Sequence, residues 1–299
     1  ALRAAVRRAA REVVQSLRPG VHRFEDRLDG DLTIRCALEA RGGRLVLDFS
    51  GTHPQVLEPL NASLAVTWSA ATYALALLLP EETPLNEGVR DVLEVHAPEA
   101  TLVNAAYPAP VAGGNVETSQ RIVDVILGAL HGAAPGRIPA ASQGTMNNVT
   151  AGGAGFTYYE TIAGGAGGSP HGPGATAIQT HMTNTRNTPI EALEHAAPIL
   201  VRTLRVARGT GGHGRHRGGD GVVRELEFRA PCVVHVLSDR RQHGPYGLEG
   251  GEPGAVGQNL LRRAGEAAGT PLPGRAGFDA AAGDRLIVRT PGGGGYGRV

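Results

Sequence analysis

The chain reads as an α+β protein, with a β-rich C-terminal portion, a few packed helices and long glycine-rich loops. Three observations carry this. Apolar residues recur with a helical period in only a few segments and with a period of two in most of the others. Alternating βαβα units, the mark of a doubly wound sheet, are absent. Finally, 44 glycines and 20 prolines make about a fifth of the 299 residues, so turns and close backbone approaches punctuate the chain throughout.

Residues 1–18 predict an amphipathic helix, with Leu2, Val6, Ala9, Val13 and Leu17 on one face and Pro19-Gly20 ending it. Residues 33–40 and 44–50 alternate around Arg41-Gly42-Gly43 and predict a β-hairpin. A helix capped by Asn61 follows to Leu79, then a strand over 92–96 and a Pro/Ala/Gly-rich loop over 104–114. The clearest helix is capped by Asn115 or Thr118 and buries Ile122, Val125, Ile126, Ala129 and Leu130. Residues 139–189 show little period apart from a strand beginning at Phe156. Further strands are expected over 199–207, 222–229, 232–237 and 285–290. This divides the chain into an α+β portion with polar cleft loops, 1–190, and a β-rich portion, 191–299, either separate or one continuous domain.

All 29 basic residues are arginine, so no Schiff-base lysine and no phosphate-loop lysine exists here. A net charge of +1 gives no electrostatic reason for a nucleic-acid partner. Cys36 and Cys232 sit in alternating apolar runs and read as core residues. The longest apolar stretch, 64–79, is shorter than the ~20 residues of a membrane span and is broken by hydroxyl side chains. With no secretory segment at its start, the chain is expected to be cytoplasmic.

Five segments can carry chemistry. In Gly113-Gly114-Asn115-Val116-Glu117-Thr118-Ser119-Gln120-Arg121, glycines lead into a helix N-terminus that favours an anion. Arg121 there can grip a carboxylate; Glu117 is either a base or a helix-start charge. Ser142-Gln143-Gly144-Thr145-Met146-Asn147-Asn148 can recognise an amide-like ring, with Asn147 in contact with it, or tie down its own loop. A strand over 156–162 delivers Tyr158 and Glu160 to one face before a glycine loop, making Glu160 a general-base candidate. In the run 179–189 nearly every side chain forms hydrogen bonds. His181 can titrate near neutrality there, and Asn184 and Arg186 can hold a substrate. The fifth, Gly209-x-Gly211-x-x-Gly214, matches a dinucleotide fingerprint but precedes a strand rather than the helix that motif needs. His213, His216 and Asp220 in the same loop have metal-ligand chemistry, but the intervening arginines disfavour a cation, so no metal ligand is assigned.

These segments resemble the hydantoinase B / 5-oxoprolinase family: the B-type subunits of N-methylhydantoinase and 5-oxoprolinase and, more distantly, the α subunit of acetone carboxylase. The matching runs include Asp48-Phe49-Ser50-Gly51-Thr52, residues 114–121 and 142–148, Tyr159-Glu160-Thr161-Ile162-Ala163-Gly164-Gly165, and Thr180-His181-Met182-Thr183-Asn184-Thr185-Arg186. Arg217-Gly218-Gly219-Asp220-Gly221 and Thr290-Pro291-Gly292-Gly293-Gly294-Gly295 complete the series. The resemblance covers the C-terminal half of a B-type subunit. It implies a divalent metal in an N-terminal half that this chain does not contain and that a separate chain can supply as a partner.

It also implies an A-type partner subunit that binds ATP and phosphorylates the carbonyl oxygen of a cyclic amide, leaving the B-type subunit to hydrolyse the ring. The expected function is therefore a share of an ATP-dependent hydrolase acting on 5-oxoproline or hydantoin. Alternatives are a subunit of an ATP-dependent ketone carboxylase and a non-catalytic half that completes another chain's active site.

Overall fold

A computed structural model describes all 299 residues. It is mixed α+β, with four α-helices and thirteen strands in three largely antiparallel sheets. No helix is long and apolar enough to cross a membrane. The chain divides into two compact units, residues 1–138 and 139–299.

In the first unit, α1 (Leu2–Ser16) buries Val6, Ala10 and Val14, a stripe rotated from the expected one, and leaves Leu2 exposed. A four-stranded sheet has the order β1 (Val21–Leu28), β2 (Leu32–Arg41), β3 (Arg44–Asp48), β4 (Leu93–His96). It is antiparallel except for the parallel β3–β4 pair. β1 escapes sequence reading because its charged residues mask the alternation; His22, Phe24 and Asp26 are half-buried and Leu28, on the same face, is fully buried. Helix α2 (Leu64–Ala76) begins after Ser63, not Asn61. The Asn61 amide is committed to the loop instead, accepting from Val56 N–H and donating to the carbonyls of Val56, Glu58 and Pro110. Helix α3 (Ser119–Ala133) is buried along most of its length. Phe24 of β1 lies against Gly128 of that helix, where a Cβ would come within 2.3 Å of the ring.

The second unit is built on two antiparallel sheets. One has the order β11 (Thr270–Leu272), β10 (Gln258–Arg262), β13 (Arg285–Arg289), β8 (Gly221–Phe228), β7 (Ile199–Ala207). The other has the order β12 (Arg275–Ala280), β9 (Cys232–Leu237), β5 (Asn148–Gly153), β6 (Phe156–Thr161). Alternate residues form one core, including Val149 and Ala151, Val222, Leu226 and Phe228, Val234 and Val236, and Leu286 and Val288. Helix α4 (Ile190–Ala196) contributes Leu193. The division expected after residue 190 runs through this unit, because β5 pairs with β9. The glycines at the end of β5 hid that strand. Both cysteines are free and buried.

The glycine-rich loops of this unit form an array of their own. Segments around 164–168, 172–175, 209–220, 244–254 and 291–297 exchange backbone hydrogen bonds outside the ladders of either sheet. Gly219 N–H donates to Ala166 O, Gly293 N–H to Gly219 O, Gly168 N–H to Gly294 O and Gly212 N–H to Gly293 O, at 2.8–2.9 Å. A Cβ on Gly165 would lie 2.0 Å from Gly219 O, one on Gly218 2.0 Å from Gly293 O, and one on Gly293 2.0 Å from Ala166 O. None of these residues has a left-handed φ. Space, not backbone conformation, demands glycine here, as it does at the axis of a collagen triple helix.

Candidate functional site

Strand β6 presents Tyr158 and Glu160 inward and Tyr159 outward, as its alternation requires. Glu160, 5 % exposed, has both carboxylate oxygens engaged. Oε2 lies 2.7 Å from Nη2 of Arg224 and also accepts from the Tyr158 hydroxyl; Oε1 accepts the Thr188 N–H at 2.8 Å. Arg224 is completely buried on β8, in register with the inward Val222, Leu226 and Phe228. Burial, and then the charge of Glu160, raises the Tyr158 hydroxyl well above its ordinary pKa, so it remains a proton donor to the carboxylate.

The Thr188 contact bolts the polar loop 179–188 onto the end of β6. Three more bonds hold it at Thr161: the Asn187 amide donates to Thr161 O at 2.8 Å, the Gln179 amide to Thr161 Oγ1 at 3.3 Å, and the Thr161 and Thr185 hydroxyls meet. His181 is half-buried in the left-handed region with φ 57°. Asn184 and Arg186 are exposed, and no side-chain hydrogen bond or ion pair holds either of them. The loop is thus fixed at its base and presents an amide and a guanidinium at its surface. Sequence reading named Glu160, His181, Asn184 and Arg186; the structure gathers them on β6 and this one loop.

Asn147 is placed differently. It is fully buried with φ 47°, and its amide is spent inside the protein. It donates to Gln143 Oε1 at 2.9 Å and Ile162 O at 3.1 Å, and accepts from Arg241, which also reaches Asn259 Oδ1. Thr145 Oγ1 accepts from the N–H groups of Asn147 and Asp239, and Ser142 Oγ from Gly167 N–H. Between the two readings of residues 142–148, this is the loop that ties itself down.

Glu117 and Arg121 belong to the first unit and are both completely buried. Residues 114–118 form a π-helical turn leading into α3, a rare geometry that frequently marks functional sites. The N–H groups of Val116, Glu117 and Thr118 all turn to Gly113 O. A Cβ on Gly113 or Gly114 would strike Pro59 O or Asn61 O. The chain at 59–61 therefore packs directly against these two glycines. Arg121 lies 3.4 Å from Asp26 and 3.6 Å from Asp124, and donates to Arg27 O. Its charge is engaged within the protein.

Asp220 is likewise committed. Oδ1 accepts from the N–H groups of Thr210 and Gly211 and from Arg217, each at 2.9 Å. Burial pushes its pKa up, but these donors outweigh burial and hold the carboxyl below its ordinary value. No three His, Cys, Asp or Glu side chains come together to hold a metal ion anywhere in the chain.

Sequence reading missed Arg224, Arg241, Asn259, Asp26 and Asp124. The Arg224 signal was present: a charged residue at an inward position of a strand implies a buried counter-charge, and Glu160 occupies the matching kind of position on β6.

The family model described as hydantoinase B/oxoprolinase matches residues 1–299. The chain is 42 % identical over 275 residues to 5-oxoprolinase 1 of Arabidopsis thaliana, covering 90 % of this chain and 21 % of that protein. It is 30 % identical over 312 residues to the B-type subunit of a putative D-/L-hydantoinase from Pseudomonas sp. strain NS671, covering 96 % and 52 %. Among solved structures, the ATP-dependent caprolactamase from Pseudomonas jessenii shares the fold with a TM-score of 0.84 at 23 % identity, over 99 % of this chain and 55 % of that one. The chain thus spans about half, or less, of the length of these proteins. The motifs at 142–148, 159–165, 180–186, 217–221 and 290–295 are the same segments that build the clamped loop and the glycine array, and the chain belongs to the hydantoinase B/oxoprolinase family.

Proposed function

We propose that this chain is part of the B-type subunit of an ATP-dependent cyclic-amide hydrolase, acting on a ring of the 5-oxoproline or hydantoin class. The observation that carries this reading is the loop 179–188: anchored through Glu160 and Thr161, it leaves Arg186 and Asn184 uncommitted at the surface of a chain whose relatives include 5-oxoprolinases. A guanidinium matches a carboxylate in two parallel hydrogen bonds, and an amide can pair with the N–H and C=O of a cyclic amide. Ring opening adds one water across the C–N bond. The water oxygen joins the carbonyl carbon, the ring nitrogen leaves as an amine, and a proton must pass from water to that nitrogen.

Within the loop, His181 is our candidate to carry that proton. Glu160 suits a positioning role, because Arg224, Tyr158 and Thr188 already occupy its oxygens. Glu117 and Arg121 organise the start of α3 in the first unit, as we read them. ATP would be bound by an A-type partner, which would transfer the γ-phosphoryl group to the carbonyl oxygen and release ADP; a second water then releases that group as inorganic phosphate. The divalent metal expected of the family finds no ligand set among these residues, so no step here is routed through it.

The test is substrate-dependent ADP release by the full-length protein with its partner subunit, offered 5-oxoproline, hydantoin, or a ketone with bicarbonate. Release with a cyclic amide and no bicarbonate is expected. Release only with ketone and bicarbonate would assign a carboxylase, and no release with any substrate would favour a purely structural half-subunit.

A further inference from the structure

The outward face of the sheet formed by β7, β8, β13, β10 and β11 carries a cavity of about 590 Å³ that the proposed reaction does not use. Its walls come from four neighbouring strands. The register places Arg205 of β7 and Arg289 of β13 on either side of Val223 of β8, opposite the same residue. At roughly 5 Å between strands, the two arginines start about 10 Å apart on one face, a span their side chains can close over Val223. Arg208, just past the end of β7, adds a third guanidinium at the rim, and Val223, Leu260 and Ile287 form an apolar floor.

The next rows of the same face show what happens where arginines have partners. Glu227 pairs with Arg202 and Arg285 at 2.8 Å, and Glu225 with Arg285 at 3.1 Å and with Arg262. No acidic side chain pairs with Arg205, Arg208 or Arg289, and all three are exposed. Three positive charges around one concavity repel one another, and an anion of charge two or more relieves that repulsion. Planar guanidinium groups match the oxygens of a phosphate, and an apolar floor within a cavity of a few hundred Å³ suits a ligand with an organic part.

We propose that this cavity is a binding site for an organic phosphate, distinct from the loop 179–188. The shared chemistry with free phosphate is the dianion; the apolar floor is what favours the ester. The test is calorimetric titration of the full-length protein at low ionic strength with phenyl phosphate and, separately, with inorganic phosphate. Phenyl phosphate is expected to bind at least tenfold more tightly, and the R205Q/R289Q variant to lose at least tenfold of that affinity while substrate-dependent ADP release is unchanged. If the double variant melts early, R208Q, outside the strand ladder, repeats the measurement with an expected loss of several-fold. Equal affinity for the two probes overturns the proposal, since the floor then contributes nothing. So does affinity that survives all of these substitutions, or no binding at all.

Discussion

Glu160 and Arg224 sit on strands of different sheets and meet in the interior of the second unit, with 2.7 Å between Oε2 and Nη2. Removing one member of a buried pair strands the other charge, which costs about 3–5 kcal/mol. Arg224→Met is therefore expected to destabilise the protein by that amount in urea unfolding, and E160Q/R224M to recover part of the loss. Additive losses in the double variant would show that the two side chains act independently.

The loop predictions separate binding from anchoring. In the full-length enzyme, Arg186→Ala is expected to raise KM at least tenfold for a cyclic amide that bears a carboxylate, and to leave a ring without one nearly unaffected. Steady-state ADP release with both substrates checks this. An equal effect on the two would place the Arg186 charge elsewhere.

Two glycine substitutions contrast space with its absence. Gly293→Ala would put a Cβ 2.0 Å from Ala166 O, against backbone that cannot yield, and is expected to prevent accumulation of folded protein. Gly152→Ala meets nothing within 4 Å and has an ordinary φ, so its melting temperature should match the parent's. The soluble yield of Gly293→Ala and a thermal melt of Gly152→Ala decide the point.

Asp220 makes a pH prediction. Its carboxyl is held below the ordinary value, so its folded pKa lies under an unfolded one of about 3.9. The stability it contributes is complete above that unfolded value and is lost as pH falls through the folded pKa. Asp220→Asn should therefore cost about 1–3 kcal/mol at pH 7, and the gap between parent and variant should narrow below pH 4. A constant gap in urea unfolding from pH 7 to pH 3 would contradict this.

Arg121 is fully buried between Asp26 and Asp124. Lysine keeps the charge but loses the planar fork that reaches both acids and Arg27 O. Arg121→Lys is expected to destabilise the protein by about 2 kcal/mol in urea unfolding, the scale of charge-assisted bonds lost from a buried group.

Strands with alternation, such as β2 and β9, and the long stripe of α3, were legible because one buried face repeats along each. β1 and β5 were not, because charges in one and glycines in the other break the period. The anchoring of loop 179–188 was half legible. Its polar density announced a role, and Glu160 stood out, but Arg224 lies more than sixty residues away and only the sheet register brings it across. Asn147 and Arg121 illustrate the converse, since both are bonded within the protein. Side chains of the right chemistry in a matching motif had already been used to hold the protein together, and composition cannot separate a spent donor from a free one.

The glycine array bears on how function would be mapped in this family. A saturation screen scored on activity alone would rank Gly165, Gly218 and Gly293 among the most sensitive positions, ahead of Arg186, although none of them has a side chain to offer a substrate. Pairing each activity score with a measure of protein abundance would sort the two groups: the lattice positions would lose both signals together, and only residues that handle the ring would lose turnover at normal abundance.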